Sequence, residues 1–293
     1  MRVAIASGKG GTGKTLLATN LAATLAAQGL AVQLLDADVE EPNCHLFLRP
    51  QTDRTETVHV PIPAVDESRC SGCGACAGVC AFRALAVVGS SVLVFPEICH
   101  SCGACVRYCP EQALHEEMRP TGAVEHASAT PRGRPVFQLV TGTLAIGEAK
   151  AVPVTKAVVA TASEDADVVL VDAPPGTSCP AIAAVADADL VVLVTEPTPF
   201  GLHDLELAVE MVRALGLSCV VVVNRVGVGD HRVRQYCAAE RLEIVAELPD
   251  DRRIAEAYAR GQLMVDAVPA LERELATVWE RIAAAAERKE VHA

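Results

Sequence analysis

Two copies of one cysteine pattern stand near the middle of the chain, Cys70-x-x-Cys73-x-x-Cys76-x-x-x-Cys80 and Cys99-x-x-Cys102-x-x-Cys105-x-x-x-Cys109-Pro110. A segment that must turn eight thiols inward cannot be organised around an ordinary apolar core, so it predicts a small fold filled by an inorganic cofactor. Three thiolates at i, i+3 and i+6 in a tight loop wrap one four-iron four-sulfur cubane, and the fourth, farther along, points to the neighbouring one. This groups Cys70, Cys73, Cys76 and Cys109 on one [4Fe-4S] cluster, and Cys99, Cys102, Cys105 and Cys80 on the other. Zinc is the rival occupant for Cys-x-x-Cys pairs, but its four-thiolate sites use other spacings. Gly72, Gly74, Ala75, Gly103 and Ala104 are small enough to leave backbone N–H groups free for the sulfurs.

A second motif opens the chain. Gly8-Lys9-Gly10-Gly11-Thr12-Gly13-Lys14-Thr15 follows the apolar run 2–6 and precedes a helical pattern. In a loop of this kind successive N–H groups face phosphate oxygens, and the next helix adds its N-terminal dipole. Gly8, Gly10, Gly11, Thr12 and Gly13 are therefore expected to cradle the phosphates of ATP or ADP. Lys14 would neutralise the β- and γ-phosphates, and the Thr15 hydroxyl would ligate Mg²⁺.

The chain of 293 residues, 51% of them hydrophobic, is long enough for one large α/β domain and a small one. Strands are expected at 31–36, 168–171, 190–195, 219–224 and 244–248. Helices are expected over 14–28, near Glu148, and over 203–215, 232–240 and 252–260. The alternation predicts a doubly wound, mostly parallel α/β sheet with ligands at the carboxyl ends of its strands. Composition shifts between Pro61 and Pro120, which divides the chain into a nucleotide domain of residues 1–60 and 121–293 and an inserted small α+β domain of residues 61–120.

A formal net charge of −12 argues against nucleic acid and anionic lipid as partners. The apolar runs are strand-length, too short to span a bilayer. In the last expected helix, 270–289, Leu271, Leu275, Val278 and Ile282 share one face among many charges, which favours docking on the core over stable membrane anchoring. Met1 leads straight into a strand rather than a secretory leader, so twelve cysteines point to a reducing cytoplasm.

The loop Lys9-Gly10-Gly11-Thr12-Gly13-Lys14-Thr15 resembles the deviant Walker A loop of the MinD, ParA, ArsA and nitrogenase iron protein superfamily. The resemblance continues through Asp36-Ala37-Asp38, Asp172-Ala173-Pro174-Pro175-Gly176 and Val223-Asn224-Arg225, each at an expected strand end. It extends to MinD/Mrp-type P-loop ATPases that carry an inserted ferredoxin domain. The cysteine region in turn is similar to bacterial two-cluster ferredoxins, including Cys109-Pro110-Glu111, with Ala81 where a proline usually follows the fourth cysteine.

What the resemblance implies is specific. Lys9 would reach across an ATP-dependent homodimer to the partner's nucleotide, acting in catalysis with Lys14 and with Asp38, which would orient the attacking water. Asp36 and Asp172 would support Mg²⁺, Gly176 would sense the γ-phosphate, and Asn224 would recognise adenine with Pro249 near the base. Leu16 departs from the family by replacing a hydroxyl residue at the α-phosphate, which implies weaker affinity. The implied activity is Mg²⁺-dependent ATP hydrolysis, coupling a nucleotide-switched dimer to electron transfer or metal-cluster assembly on a protein redox or cluster-acceptor partner. The alternative is an ATP-controlled iron-sulfur carrier or scaffold. Carriers of the Mrp type bridge their cargo with a Cys-x-x-Cys in the ATPase part, and this chain has no such pair outside the insert.

Four cysteines remain. Cys179 lies seven residues beyond Asp172, near the offset at which the nitrogenase iron protein places a cluster-bridging thiol; a packing role is the other reading. Cys44 is expected to be an apolar filler, and Cys219 and Cys237 core residues. His45, His100 and His203 lack ligand-spaced partners in sequence.

Overall fold

In the computed structural model, residues 1–131 and 133–290 are described, with side chains as far as Arg288. The apolar runs become β1 (Arg2–Ala6), β2 (Val32–Asp36), β8 (Val168–Asp172) and β9 (Leu190–Thr195), and the last three are buried at every position. Strands apolar on both faces belong inside a parallel sheet. Between β1 and β2 lies α1 (Lys14–Ala27), and after β2 come α2 (Cys44–Leu48) and β3 (Gln51–Val65). The cysteine segment contains α3 (Ala75–Val79), β4 (Leu85–Val88), β5 (Ser91–Val94), a 3₁₀ turn Pro96–Ile98 and α4 (Ala104–Arg107). The chain returns through β6 (Leu114–Ala129), β7 (Phe137–Leu144) and α5 (Val152–Val159) to β8. It continues with α6 (Cys179–Val185), β9, α7 (Pro199–Ala214), β10 (Cys219–Val226), α8 (Arg232–Ala239) and β11 (Ile244–Pro249). Three helices close it: α9 (Arg252–Ala259), α10 (Met264–Ala267) and α11 (Ala270–Glu290).

Nine strands form one sheet in the order β11-β10-β9-β1-β8-β2-β7-β6-β3. All neighbours from β11 to β7 run parallel, and β6 and β3 are added antiparallel at the edge. One face carries Leu17, Leu21 and Leu25 of α1 against Leu271, Leu275, Val278 and Ile282 of α11. The last helix is thus docked through the expected face. The other face is covered by α5, α6, α7 and α8 through Val154, Val185, Val209 and Val233. No helix among the described residues is long and apolar enough to cross a membrane.

Three features depart from the expected pattern. The helix expected near Glu148 begins only at Val152, with Pro153 in its first turn, where a missing N–H costs nothing. Glu148 itself sits in the preceding turn. The second departure is β7, a strand beyond those expected from the sequence. The third is a long ribbon: β3 and β6 pair along almost their whole length, from Gln51↔Ser128 to Val65↔Leu114, while β7 supports β6 only as far as Gly122. The outer part of the ribbon carries the cysteine segment at its tip. Its exposed residues on both faces and its Pro61, Pro63 and Pro120 hid the alternation that betrays a half-buried strand.

Candidate functional site

Parallel register sets the first site. Ile5 pairs with Asp172 and Asp36 pairs with Asp172, so two carboxylates stand beside the loop that leaves β1. Gly13 takes φ 99°, and a Cβ there would collide with the Asn224 side chain, so only glycine fits. A cleft of about 480 Å³ opens over Gly10, Gly11, Gly13, Lys14, Thr15 and Asp38, and extends past Asn224 and Pro249 to Tyr258. The structure therefore gathers Gly10, Gly11, Gly13, Lys14, Thr15, Asp38, Asn224 and Pro249 on one cavity, whereas Gly8 and Thr12 of the same loop do not line it. Gly176 lies alongside, φ 86°, its N–H donating to the Ser7 carbonyl at 2.9 Å.

Charge at the bottom of the cleft is densely paired. The Thr15 hydroxyl donates to Asp172 Oδ2 at 2.6 Å, the Cys44 N–H donates to Asp36 Oδ2 at 2.9 Å, and the Cys44 thiol faces Asp172 Oδ2 at 3.6 Å. Asp36 Oδ1 and Asp172 Oδ1 are buried with no hydrogen-bond partner. Burial, reinforced by the nearby Asp172 charge, raises the Asp36 pKa; burial also raises that of Asp172 against the pull of the Thr15 hydroxyl and Lys14. Asp38 is raised to about 6, first by burial. Burial lowers Lys14 although Asp172 and Asp38 oppose it. Two orphaned carboxylate oxygens next to a hydroxyl form a hard-donor set suited to a divalent cation and its waters. Asp36, Cys44 and Asp172 offer ligand atoms all within 4.8 Å of one another.

Lys9 is not directed at its own cleft. Its ammonium stands 3.3 Å from Glu196 Oε2, and Glu196 Oε1 also meets Arg225 at 3.2 Å, which in turn reaches Asp250. Asn224 uses both ends of its amide on the protein: Nδ2 donates to the Thr12 carbonyl at 2.8 Å, and Oδ1 accepts from the Arg225 N–H. It staples the glycine loop to β10. Glu196 and Tyr258 stand in no sequence motif; Glu196 reaches the site from the end of β9 and Tyr258 from the last turn of α9.

The eight motif thiols separate into two quartets. Cys70, Cys73, Cys76 and Cys109 line one small pocket, and Cys80, Cys99, Cys102 and Cys105 line another. Backbone N–H groups point at sulfur: Ala84 to Cys80 at 3.2 Å, Ala113 to Cys109 at 3.3 Å and Ser101 to Cys99 at 3.4 Å. Cys179 is exposed at the start of α6, Cys237 is buried and Cys219 half-buried. Cys44 is buried in the apolar core with Phe47 and Leu48, as a filler would be, and its thiol also faces a carboxylate of the site. His100 stacks on Phe82 with ring centroids 3.6 Å apart, beside the second quartet.

A glycine loop between a central parallel strand and its helix, over a cleft with paired aspartates, defines a P-loop nucleotide-binding protein. Residues 3–264 match the CbiA family model, the CobQ/CobB/MinD/ParA nucleotide binding domain, and the chain belongs to that family. An uncharacterized protein of Methanocaldococcus jannaschii is 29% identical over 270 residues, spanning 89% of this chain and 90% of its own. The septum site-determining protein MinD complexed with Mg-ADP from Pyrococcus horikoshii superposes with a TM-score of 0.58 at 19% identity, covering 96% of this chain and 95% of that one, a likeness of fold alone. An iron-sulfur cluster carrier protein of Synechocystis sp. is 54% identical over 46 residues, 16% of this chain and 13% of the carrier.

Proposed function

We propose that the protein is a Mg²⁺-dependent ATPase whose nucleotide-switched homodimer drives transfer from two [4Fe-4S] clusters, held in an inserted ferredoxin-like domain, to a protein partner in the cytoplasm. The observation that carries this reading is the division of the eight thiols into two cavities on the same chain as a preorganised nucleotide cleft. Tetrahedral zinc with bonds near 2.3 Å would draw its thiolates to about 3.8 Å of one another. Among the described residues no three thiols of either quartet lie that close. The N–H groups on sulfur suit a cubane, which when bound would supply one-electron chemistry.

At the cleft, Lys14 and the loop N–H groups hold the phosphates, while Thr15 with Asp36 and Asp172 beyond it would hold Mg²⁺ and its waters. Mg²⁺ when bound would offset charge on the bridging phosphate oxygens. Asp38, half-exposed at the cavity wall, orients water in line with the γ-phosphate, and Gly176 would register that phosphate by exchanging its N–H bond to the Ser7 carbonyl for one to the nucleotide. Lys9 must leave Glu196 to reach a partner's nucleotide, so the ion pair biases the free protomer toward the open state. ATP then has to favour the closed dimer by several kcal/mol for a nearly complete shift.

The partial likeness to a cluster carrier supports a second reading, in which ATP governs handover of a cluster rather than of electrons. The experiment that separates them uses anaerobically purified, reduced protein given MgATP together with either an electron acceptor or an apo-protein. Electron delivery with iron retained upholds the first reading; stoichiometric loss of iron and sulfide to the apo-protein upholds the second. Fewer than about eight irons per polypeptide would overturn both.

A further inference from the structure

One cation from outside the cysteine segment reaches into it. The Lys150 ammonium, on the turn before α5, donates to the carbonyl of Cys99 at 2.9 Å and to that of Pro96 at 3.0 Å. Only 16% of the Lys150 side chain is exposed. Glu148 steadies it: Oε1 accepts the N–H groups of Ala149 and Lys150 at 3.0 Å each and stands 3.8 Å from the ammonium. Glu148 Oε2 accepts from Arg119 of β6 at 2.6 Å, and its side chain is 2% exposed. Burial works against this carboxylate, yet the Lys150 N–H and the two cations bring its pKa below the ordinary value. A charged network thus runs from the ribbon and the sheet domain to the backbone of Cys99 in one quartet.

The two quartets are unequal in this respect. The cavity of Cys70, Cys73, Cys76 and Cys109 is lined by residues of the segment and the first residue of β6 alone, whereas Pro61, Pro63 and Glu116 of the ribbon line the other. Lys150 leads directly into α5, which packs on β6 and β7 and against α6, the helix that begins at Cys179 just beyond Asp172 and Gly176. A glutamine could supply hydrogen bonds at this turn. Only a cation supplies a field.

We propose that Lys150 is a redox-tuning and positioning residue, and that the cluster held by Cys80, Cys99, Cys102 and Cys105 is the one whose potential follows the nucleotide state. The inference rests on the cluster reading above. Reduction adds one electron, with no proton, to a centre already made anionic by four thiolates, so a nearby buried cation stabilises the reduced form more than the oxidised one. Movement of α6 on nucleotide binding, passed through α5, alters how closely Lys150 sits against Cys99.

The test is an anaerobic dithionite titration of the full, cluster-loaded protein followed by electron paramagnetic resonance, for wild type, Lys150→Gln and Lys150→Arg. An iron count and a reduced-cluster signal in the wild type check the cluster reading first; their absence removes the foundation of this inference and is distinct from its own failure. With clusters present, Lys150→Gln is expected to lower one of the two potentials by roughly a tenfold change in the reduced-to-oxidised ratio, about 59 mV for one electron, and to leave the other in place. Lys150→Arg, which keeps the charge, restores most of the shift. A non-hydrolysable ATP analogue is expected to move that same potential in the wild type and not in Lys150→Gln. Potentials that stay put in Lys150→Gln, or that both move equally, overturn the proposal.

Discussion

The nucleotide cleft lies at the end of a sheet whose central strands are buried on both faces, whereas the eight motif thiols lie in a segment whose separate core has four buried residues, two of them cysteines: Cys76, Leu85, Cys105 and Leu114. In the first region packing fixes the geometry before any ligand arrives. Thr15 already holds Asp172, the Cys44 N–H holds Asp36, and Asn224 holds the Thr12 carbonyl. In the second there is too little apolar surface to set eight side chains, so on the cluster reading proposed above a bound cubane would complete that core. The same chain therefore contains a site made by its fold and a fold made by its site.

That contrast can be broken most sharply at Lys14. Lys14→Ala is expected to lower ATP hydrolysis by about a thousandfold while leaving visible cluster absorbance untouched; bleaching by this substitution would show that the two regions are not independent. Cys76→Ser is expected to cost about four of eight irons and to leave the thermal transition of the sheet domain where it was, read by iron assay and calorimetry. A shift of the main transition would mean that the segment props up the sheet.

A smaller effect is expected from acid. A carboxylate must be ionised to orient water, and Asp38 takes up its proton at about 6, so hydrolysis should fall about tenfold for each pH unit below that value. The stability sign runs the other way. Because the folded carboxyl binds its proton more tightly than the unfolded one with its ordinary 3.8, this group favours the nucleotide-free fold below that pH, and the contribution fades as pH rises through about 6. Asp38→Asn should flatten both profiles. Least affected should be Cys44→Ala: losing a long thiol contact to Asp172 is expected to change unfolding free energy in urea by no more than about 1 kcal/mol, against the loss of iron that follows substitution of a thiol in either quartet.

The legible parts of the molecule were those in which chemistry is contiguous. The glycine loop, the cysteine spacings and the doubly buried strands each declare themselves within a few residues. The ribbon did not, because β3 and the outer part of β6 pair mainly with each other and keep polar residues on both faces. Glu148 read as helical, yet its backbone neighbours bind its own carboxylate in a turn. Lys9 gave no sign of its pairing with Glu196, nor Cys44 of its place between two carboxylates; both depend on the register of β1, β2, β8 and β9 rather than on local spacing.

The pairing of Val65 with Leu114 has an architectural consequence. Entry and exit of the cysteine segment are adjacent points on one antiparallel ladder, so the chain that leaves the ribbon returns to it with no net displacement. A two-residue Asn-Gly turn satisfies the same closure. The segment is in effect a cartridge: exchange of residues 66–113 for a hairpin turn is expected to preserve the strand order of the sheet and to leave Lys150 without its Pro96 and Cys99 carbonyl partners.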